Sequence, residues 1–427
     1  MDMGKVAFVF PGQGSQYVGM GKALCEEHDI AVKLFEEANS VLGFDLMKLV
    51  FEGSIDELTE TEHAQAAILT HSVAAFQVFM KEHKVEPAYL LGHSLGEITA
   101  LTCAGAIAFQ DAVRLVYQRG RFMQEAAAKG VGAMASIQQV DRGLIEQECE
   151  RASVGGKIAV VSNYNSPHQT VISGHRDIVA NICKTLEEAG GIIVPLQVSA
   201  PFHSPLMDRA VSKFREVLSK QSFDDMKWPV LSNVTATPYT GRDAIAGNLA
   251  KQMVSAVRWQ DSIEFIQKQR VTWAIEFGPG KVLRNLIQKC TPSIRAFSYD
   301  ITADRKSLEQ EIRKSHEEDV NLRQKNLAAA VERCMTVAVC TKNYNSNNEE
   351  YHEGVIVPYR TIKQVLHAYE QDGTPITIEK VNEALQMLKS VFSTKRTPTP
   401  EQAFRFDLIR KEMEDLEICL DWKESLI

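Results

Sequence analysis

Gly92, His93, Ser94, Leu95 and Gly96 set a serine between two glycines, after the apolar run AYLL and ahead of LGEITALTCAGA. This GxSxG order suits a sharp strand-to-helix turn that lifts a hydroxyl clear of the chain, with the glycines relieving the crowding at its base. The first free N–H groups of the following helix, that of Leu95 foremost, would then face negative charge developing on an attacked carbonyl. Three uses are open: cleavage of an ester by water, transfer of an acyl group to a thiol, or a capped glycine-rich turn without chemistry. One motif does not choose among them.

A serine nucleophile needs a base, and the chain holds 11 histidines. His93 is too close in sequence to turn its ring onto the Ser94 hydroxyl and reads as a packed elbow residue. His203, in VSAPFHSPLM, falls in a loop between a strand pattern and a helix pattern, a common seat for catalytic groups. Its alternative is a surface or structural histidine. GPGK at 278–281 lacks the GxxxxGK[ST] spacing of a phosphate loop and reads as a turn that closes the core, with nucleotide binding a remote alternative.

The elements that must position these groups follow from the hydrophobic pattern. KVAFVF (5–10) is an apolar, β-rich run that fits a strand buried on both faces of a parallel sheet, and PGQGSQ follows it as a turn. Helical patterns cover 17–50 and 64–83, then come the strand AYLLGH and the helix opening at LGEITALTCAGA. From 130 to 200 the order is GAMASI as strand, DRGLIEQECERA as helix, KIAVVSNYN and QTVISG as strands, HRDIVANICKTLEEAG as helix and IIVPLQVS as strand. That βαββαβ order is ferredoxin-like. The core resumes with a helix near 206–220, the strand WPVLSN, a helix after Asp243, and the strand-turn-helix AIEFGPGKVLRNLIQ.

Beyond Tyr299 strand patterns stop and the chain becomes charged and helical. SLEQ (307–310) and TPEQ (399–402) have capping-box spacing, Pro400 suits a first helical position, and NYNSNNEEYHEG (343–354) reads as a polar loop. The expected fold class is α/β: a hydrolase-like core with a parallel sheet (1–129 and 201–298), an inserted ferredoxin-like subdomain (130–200), and an all-α C-terminal extension (299–427).

Composition narrows the function classes. With 427 residues, 44% of them apolar, the chain can bury large cores in two or three domains. A formal net charge of −8 offers no basic field for a phosphate backbone, so nucleic acid is not an expected partner. No apolar run reaches the roughly 20 residues of a membrane helix, and MDMGKVAFVFPGQG lacks the plan of a signal peptide. The reading is cytosolic. Cys25, Cys103, Cys149, Cys183, Cys290, Cys334, Cys340 and Cys419 form no CxxC pair or Cys/His cluster, so neither zinc, nor any other metal, nor a disulfide framework is implied.

The fragments FPGQGSQ (10–16), GHSLGE (92–97), RGRFMQEA (119–126), GAMASI (132–137), NYNSPHQTVISG (163–174), APFHSPLM (200–207) and EFGPGKVL (276–283) occur in this order and together resemble the malonyl-CoA:acyl carrier protein transacylases. The resemblance runs from about residue 4 to 297. It implies Ser94 as the nucleophile that takes malonyl as an oxyester and His203 as general base and acid. It also implies Gln13 and Leu95 as main-chain oxyanion donors, and a carbonyl at the position of Gln252 that orients the imidazole in place of an aspartate.

Arg119 matches the arginine that grips the malonyl carboxylate, for which a guanidinium offers two parallel charge-assisted hydrogen bonds. Arg121 is the competing cation, turned away by helical spacing. Phe202 resembles the malonyl-selective form of the pocket, its other reading being plain core. The implied partners are malonyl-CoA and an acyl carrier protein, with polyketide synthase modules for the extension, and no cofactor is implied. Two rivals stand beside this reading: an acyl hydrolase that clears carrier proteins, and a non-catalytic docking subunit.

Overall fold

The computed structural model describes residues 4–126, 131–196, 198 and 200–418. Cys419, and Gln197 and Ser199 of the expected strand IIVPLQVS, lie outside them. Among the described residues the strands are β1 Lys5–Phe10, β2 Tyr89–Gly92, β3 Gly132–Gln138, β4 Ala159–Ser166, β5 Gln169–His175, β6 Ile192–Pro195, β7 Val271–Glu276 and β8 Arg295–Ser298. Contacts divide the described residues into two compact units, which part between residues 311 and 312.

In the larger unit, β2-β1-β7-β8 form one sheet whose neighbours all run parallel. β1 lies between β2 and β7, and every residue after Lys5 is buried, as its unbroken apolar sequence requires. On one face Phe8 meets Phe277 edge-on at 5.0 Å between ring centres, with Phe76 and Phe79 beside them. The other face packs Trp259, Ile263, Leu283 and Ile287.

The second sheet has the order β4-β5-β3-β6 with all pairs antiparallel, and the helices Arg142–Ala152 and Arg176–Glu188 belong to it. In the subdomain's own numbering this is strand order 2-3-1-4, the arrangement of a ferredoxin-like βαββαβ unit.

Several local expectations change. The helical stretch 17–50 is three helices, Lys22–Glu27, Asp29–Leu42 and Leu46–Glu52. They are parted at His28, which is extended (φ −140°), and at Gly43, which adopts φ +76°. WPVLSN forms isolated bridges only, Leu90 with Val230 and Leu231 with Pro238. Pro229 brings no N–H to a ladder and offers only its carbonyl, to Leu90 N–H at 2.9 Å.

SLEQ caps nothing, because it lies inside the helix Thr302–Cys340, where Ser307 donates back to Ala303 O. TPEQ opens the helix Thr399–Asp415 without a side-chain cap, Pro400 standing in its first turn. The polar stretch 343–354 is helical from Asn348, with Asn347 accepting from the N–H groups of Glu349 and Glu350.

The turn after β7 is built to close the core. Glu276 accepts the N–H groups of Leu283 (3.0 Å) and Arg284 (2.8 Å) at the start of the helix Val282–Cys290, and Asp300 accepts that of Gly280 at 2.7 Å. A resident carboxyl group thus occupies the helix N-terminus that a phosphate would need.

The expected extension starts at 299, whereas the compact units part within the helix Thr302–Cys340. Its first turns belong to the larger unit. Leu308 is fully buried, Asp304 pairs with Arg284 at 3.1 Å, and Glu311 pairs with Arg295 at 2.7 Å. The smaller unit has its own core, in which Val331, Cys334, Leu388, Phe392 and Ile409 are fully buried. There Lys395 donates to the carbonyls of Ala338 and Thr341 (2.8 Å each), satisfying the end of a helix.

Candidate active site

β1, β2 and the helix Leu95–Cys103 approach so closely at the elbow that side chains do not fit. A Cβ on Gly92 would stand 1.8 Å from the Gly96 carbonyl carbon, and one on Gly96 would stand 2.0 Å from Phe10 O. Ser94 is held between them at φ +53°, ψ −105°, a conformation L-residues avoid unless their surroundings impose it. Here they do. Asn233 Oδ1 accepts the Ser94 N–H at 2.7 Å, and Gln252 Nε2 donates to the Ser94 carbonyl at 2.8 Å.

The Ser94 hydroxyl lies 2.8 Å from His203 Nε2, and His203 Nδ1 lies 2.9 Å from the main-chain oxygen of Gln252. A carbonyl only accepts, so Nδ1 carries the ring proton and Nε2 is left to accept from Ser94 Oγ–H. Burial, and then the nearby Arg119 cation, push the imidazole down to about 3, so the ring is neutral at physiological pH.

Arg119 comes from the helix Phe109–Ala126, whose Gly120 lets it lie against the helix Thr61–Glu82. A Cβ at Gly120 would sit 2.5 Å from Glu62 Cα. That close approach brings Gln65 Oε1 to Arg119 Nη1 at 2.9 Å. Nη2 donates to Gln252 Oε1 at 2.9 Å and to Ser94 Oγ at 3.2 Å. The guanidinium is 1% exposed, and burial lowers its pKa to about 10. Arg121 is half-exposed and faces Glu62 (3.9 Å) and Glu125 (3.7 Å).

Ser94, His203, Arg119, Gln13, Leu95 and Phe202 all line one cavity of about 510 Å³. Leu95 is the first residue of its helix, so its N–H precedes the first intrahelical bond. Gln13 reaches the cavity from the turn after β1. His93 lines the same cavity, its Nε2 2.9 Å from Asn165 Oδ1 and its ring against Trp259. Glu60, Glu62 and His63 form a group of possible metal ligands outside this cavity, where Glu62 already meets Tyr117 and Arg121.

The chain matches the acyl transferase domain family over residues 7–338. It is 39% identical over 400 residues to the malonyl CoA-acyl carrier protein transacylase of Bacillus subtilis, covering 94% of this chain and 99% of the relative. The chain belongs to the malonyl-CoA:acyl carrier protein transacylase family. The Escherichia coli K12 enzyme of that name is 43% identical over 295 residues, 69% of this chain and 95% of its own.

Among solved structures, a malonyl-transacylase in complex with its type II PKS acyl-carrier protein superposes with TM-score 0.69 at 39% identity, covering 70% of this chain and 97% of that one. The Coxiella burnetii transacylase gives 0.71 at 37% identity, with coverage of 73% and 99%. The motifs end near residue 297, yet the family match continues to 338 and the B. subtilis relative aligns with most of the chain. The helical extension is therefore shared with at least one transacylase.

Sequence reasoning missed four groups that hold the site of this transacylase together: Gln65, Glu97, Asn233 and the side chain of Gln252. Gln65 and Glu97 carry a signal, each being a polar residue inside an otherwise apolar stretch, AQAAIL and GEITAL. Asn233 carries none, because it reaches Ser94 only through the turn after the Val230 bridge.

Proposed function

We propose that this acyltransferase moves malonyl from coenzyme A to Ser94, and then to the phosphopantetheine thiol of an acyl carrier protein, supplying fatty-acid or polyketide synthesis. Arg119 carries the reading. Among the described residues its hydrogen-bond partners are two amide oxygens and the Ser94 hydroxyl, so a buried cation stands beside the nucleophile without a hydrogen-bonded carboxylate. A malonyl carboxylate completes it with charge-assisted bonds, whereas an uncharged acyl group leaves it without a hydrogen-bonded counter-charge. That disfavours a hydrolase for simple acyl chains.

In the first half-reaction His203 Nε2 takes the Ser94 proton as Oγ attacks the malonyl thioester. The N–H groups of Gln13 and Leu95 receive the oxyanion, and the imidazolium returns the proton to the departing CoA thiolate. In the second, the carrier thiol gives its proton to His203 and attacks the oxyester, and Ser94 regains a proton as it leaves. The Gln252 carbonyl holds the imidazole in the required tautomer throughout. Phe202 fills the space an α-methyl would take, worth about 1–3 kcal/mol against methylmalonyl.

Protons and acyl groups balance between Ser94, His203 and the two thioesters, so no cofactor is called for. The partners are malonyl-CoA and a carrier protein, and the site of action is the cytoplasm. Among the described residues no helix is long and apolar enough to cross a membrane. We assign the helical unit that begins at residue 312 to docking on a synthase partner.

Radiolabelled malonyl-CoA with holo carrier protein tests the reading. Label on the carrier is expected in excess of free malonate, and predominant malonate release would mean a hydrolase. A pH profile tests the base. Because the folded-state pKa of His203 is depressed, the ring loses its basicity only as pH falls toward about 3. The second-order rate of Ser94 acylation should stay nearly flat from pH 7.5 to 5, where an ordinary imidazole of pKa about 6.5 would cost about 30-fold. An inflection near 6.5 would show that burial does not act on this ring.

A further inference from the structure

The GHSLGE motif ends in a carboxyl group that the reaction above does not use. Glu97 lies one helical turn after Ser94 and is 0% exposed, a position where an acid costs free energy unless its oxygens are engaged. Both are. Oε1 accepts from the Tyr239 hydroxyl, while Oε2 accepts from the Asn233 main-chain N–H at 3.1 Å and from Gln252 Nε2 at 2.7 Å.

Asn233 and Gln252 are the residues that grip the main chain of Ser94. Gln252 also touches the rest of the site: its side-chain oxygen accepts from Arg119, and its main-chain oxygen accepts from His203. Its amide has one workable orientation. The NH₂ end faces three oxygens, Glu97 Oε2 (2.7 Å), Ser94 O (2.8 Å) and, at a longer 3.3 Å, Asn233 Oδ1, and the carbonyl end faces the Arg119 donor. Turned over, it would set donor against donor at Arg119 and oxygen against oxygen on the other side.

We propose that Glu97 is a positioning residue for acyl-group selection, acting through the Gln252 amide to keep the Arg119 guanidinium beside the nucleophile. The inference rests on the malonyl-transfer reading. Without an acceptor at position 97, the Gln252 amide keeps on that side only Ser94 O and the longer contact to Asn233 Oδ1, having lost its shortest bond, and Arg119 loses a fixed partner. Malonyl then loses both its carboxylate clamp and part of the support of the nucleophile, whereas an uncharged acyl group loses only the second. The ratio of malonyl to acetyl loading is therefore the readout, because a purely structural role lowers both rates together.

The test measures acylation of Ser94 by malonyl-CoA and by acetyl-CoA on the full chain and three variants. Glu97→Met is close in size without an acceptor, Glu97→Gln keeps an oxygen for Gln252 and Asn233, and Tyr239→Phe removes the hydroxyl that meets Oε1 and Ser232 while leaving the Oε2 contacts in place. Glu97→Met should lower the malonyl-to-acetyl ratio about 10-fold or more, Glu97→Gln should hold it within about 3-fold, and Tyr239→Phe should lower it about 2- to 3-fold.

A ratio unmoved in Glu97→Met overturns the proposal, as does a loss in Glu97→Gln equal to that in Glu97→Met, which would assign the effect to charge alone. If Glu97→Met does not fold, Tyr239→Phe decides, and an unchanged ratio there overturns it. Wild-type protein is the control. Absence of malonyl on its Ser94 would overturn the transfer reading itself, while normal wild-type loading with unmoved ratios would overturn only the role of Glu97.

Discussion

Ser94→Ala should abolish malonyl loading, a fall of roughly 10⁴-fold or more, because no covalent intermediate forms without the hydroxyl. The fold should tolerate the change. Asn233 and Gln252 hold the main chain of Ser94 rather than its side chain, and alanine at φ +53° meets the same backbone cost as serine. Arg119 gives up one contact and keeps Gln65 and Gln252. Other hydroxyls line the cavity without the same setting: Ser15 donates to Gly12 O, and Ser136 Oγ, buried on β3, has no hydrogen-bond partner among the described residues. Intact-protein mass spectrometry after brief exposure to malonyl-CoA checks this. A malonyl adduct persisting on the alanine variant would remove Ser94 from the mechanism.

The elbow was legible because its chemistry and its sterics coincide. Gly92 and Gly96 are glycine for want of space, and a serine in such a corner is conspicuous in a linear reading. The two sheets were legible for a similar reason. β1 is apolar after Lys5 because both its faces are packed, Phe8 against Phe76 and Phe277, and Ala7 and Val9 with Trp259 and Ile263, and the subdomain announces itself by alternating strand and helix patterns.

Other features exceed what a linear pattern carries. WPVLSN has a strand's composition, but a proline and an early turn leave it isolated bridges. SLEQ has a cap's spacing, yet the helix begins earlier, at Thr302. Spacing alone leaves His203 open between a catalytic and a structural histidine, because its pairing with Ser94 depends on a loop at φ +57° that no local signal marks. Gln65, Asn233 and Gln252 converge from three separate segments. Gln65 stands out in sequence only as a polar residue inside AQAAIL, and the packing of the helix Phe109–Ala126 on Thr61–Glu82 reveals what it serves.

Arg119→Ala should lose malonyl transfer while keeping or gaining activity toward acetyl-CoA. Truncating one partner of a buried charged pair costs about 2–5 kcal/mol, which converts to a fall in the malonyl-to-acetyl preference of roughly 30-fold to several thousandfold. Two effects push the substrates apart. Malonyl loses the buried cation at the nucleophile, and acetyl no longer leaves that cation without a hydrogen-bonded counter-charge. A third effect is common to both: with the Arg119 charge gone, one of the causes depressing His203 is removed, and the acid limb of the acylation profile moves upward. The comparison variant is Arg121→Ala, whose side chain is 52% exposed and faces Glu62 and Glu125, and which should leave the preference where it was. Competition between malonyl-CoA and acetyl-CoA for Ser94, read by mass spectrometry on both variants, separates the two arginines. A preference that switches in Arg121→Ala and survives in Arg119→Ala would mean that the buried guanidinium supports the cavity wall and the half-exposed one reads the substrate.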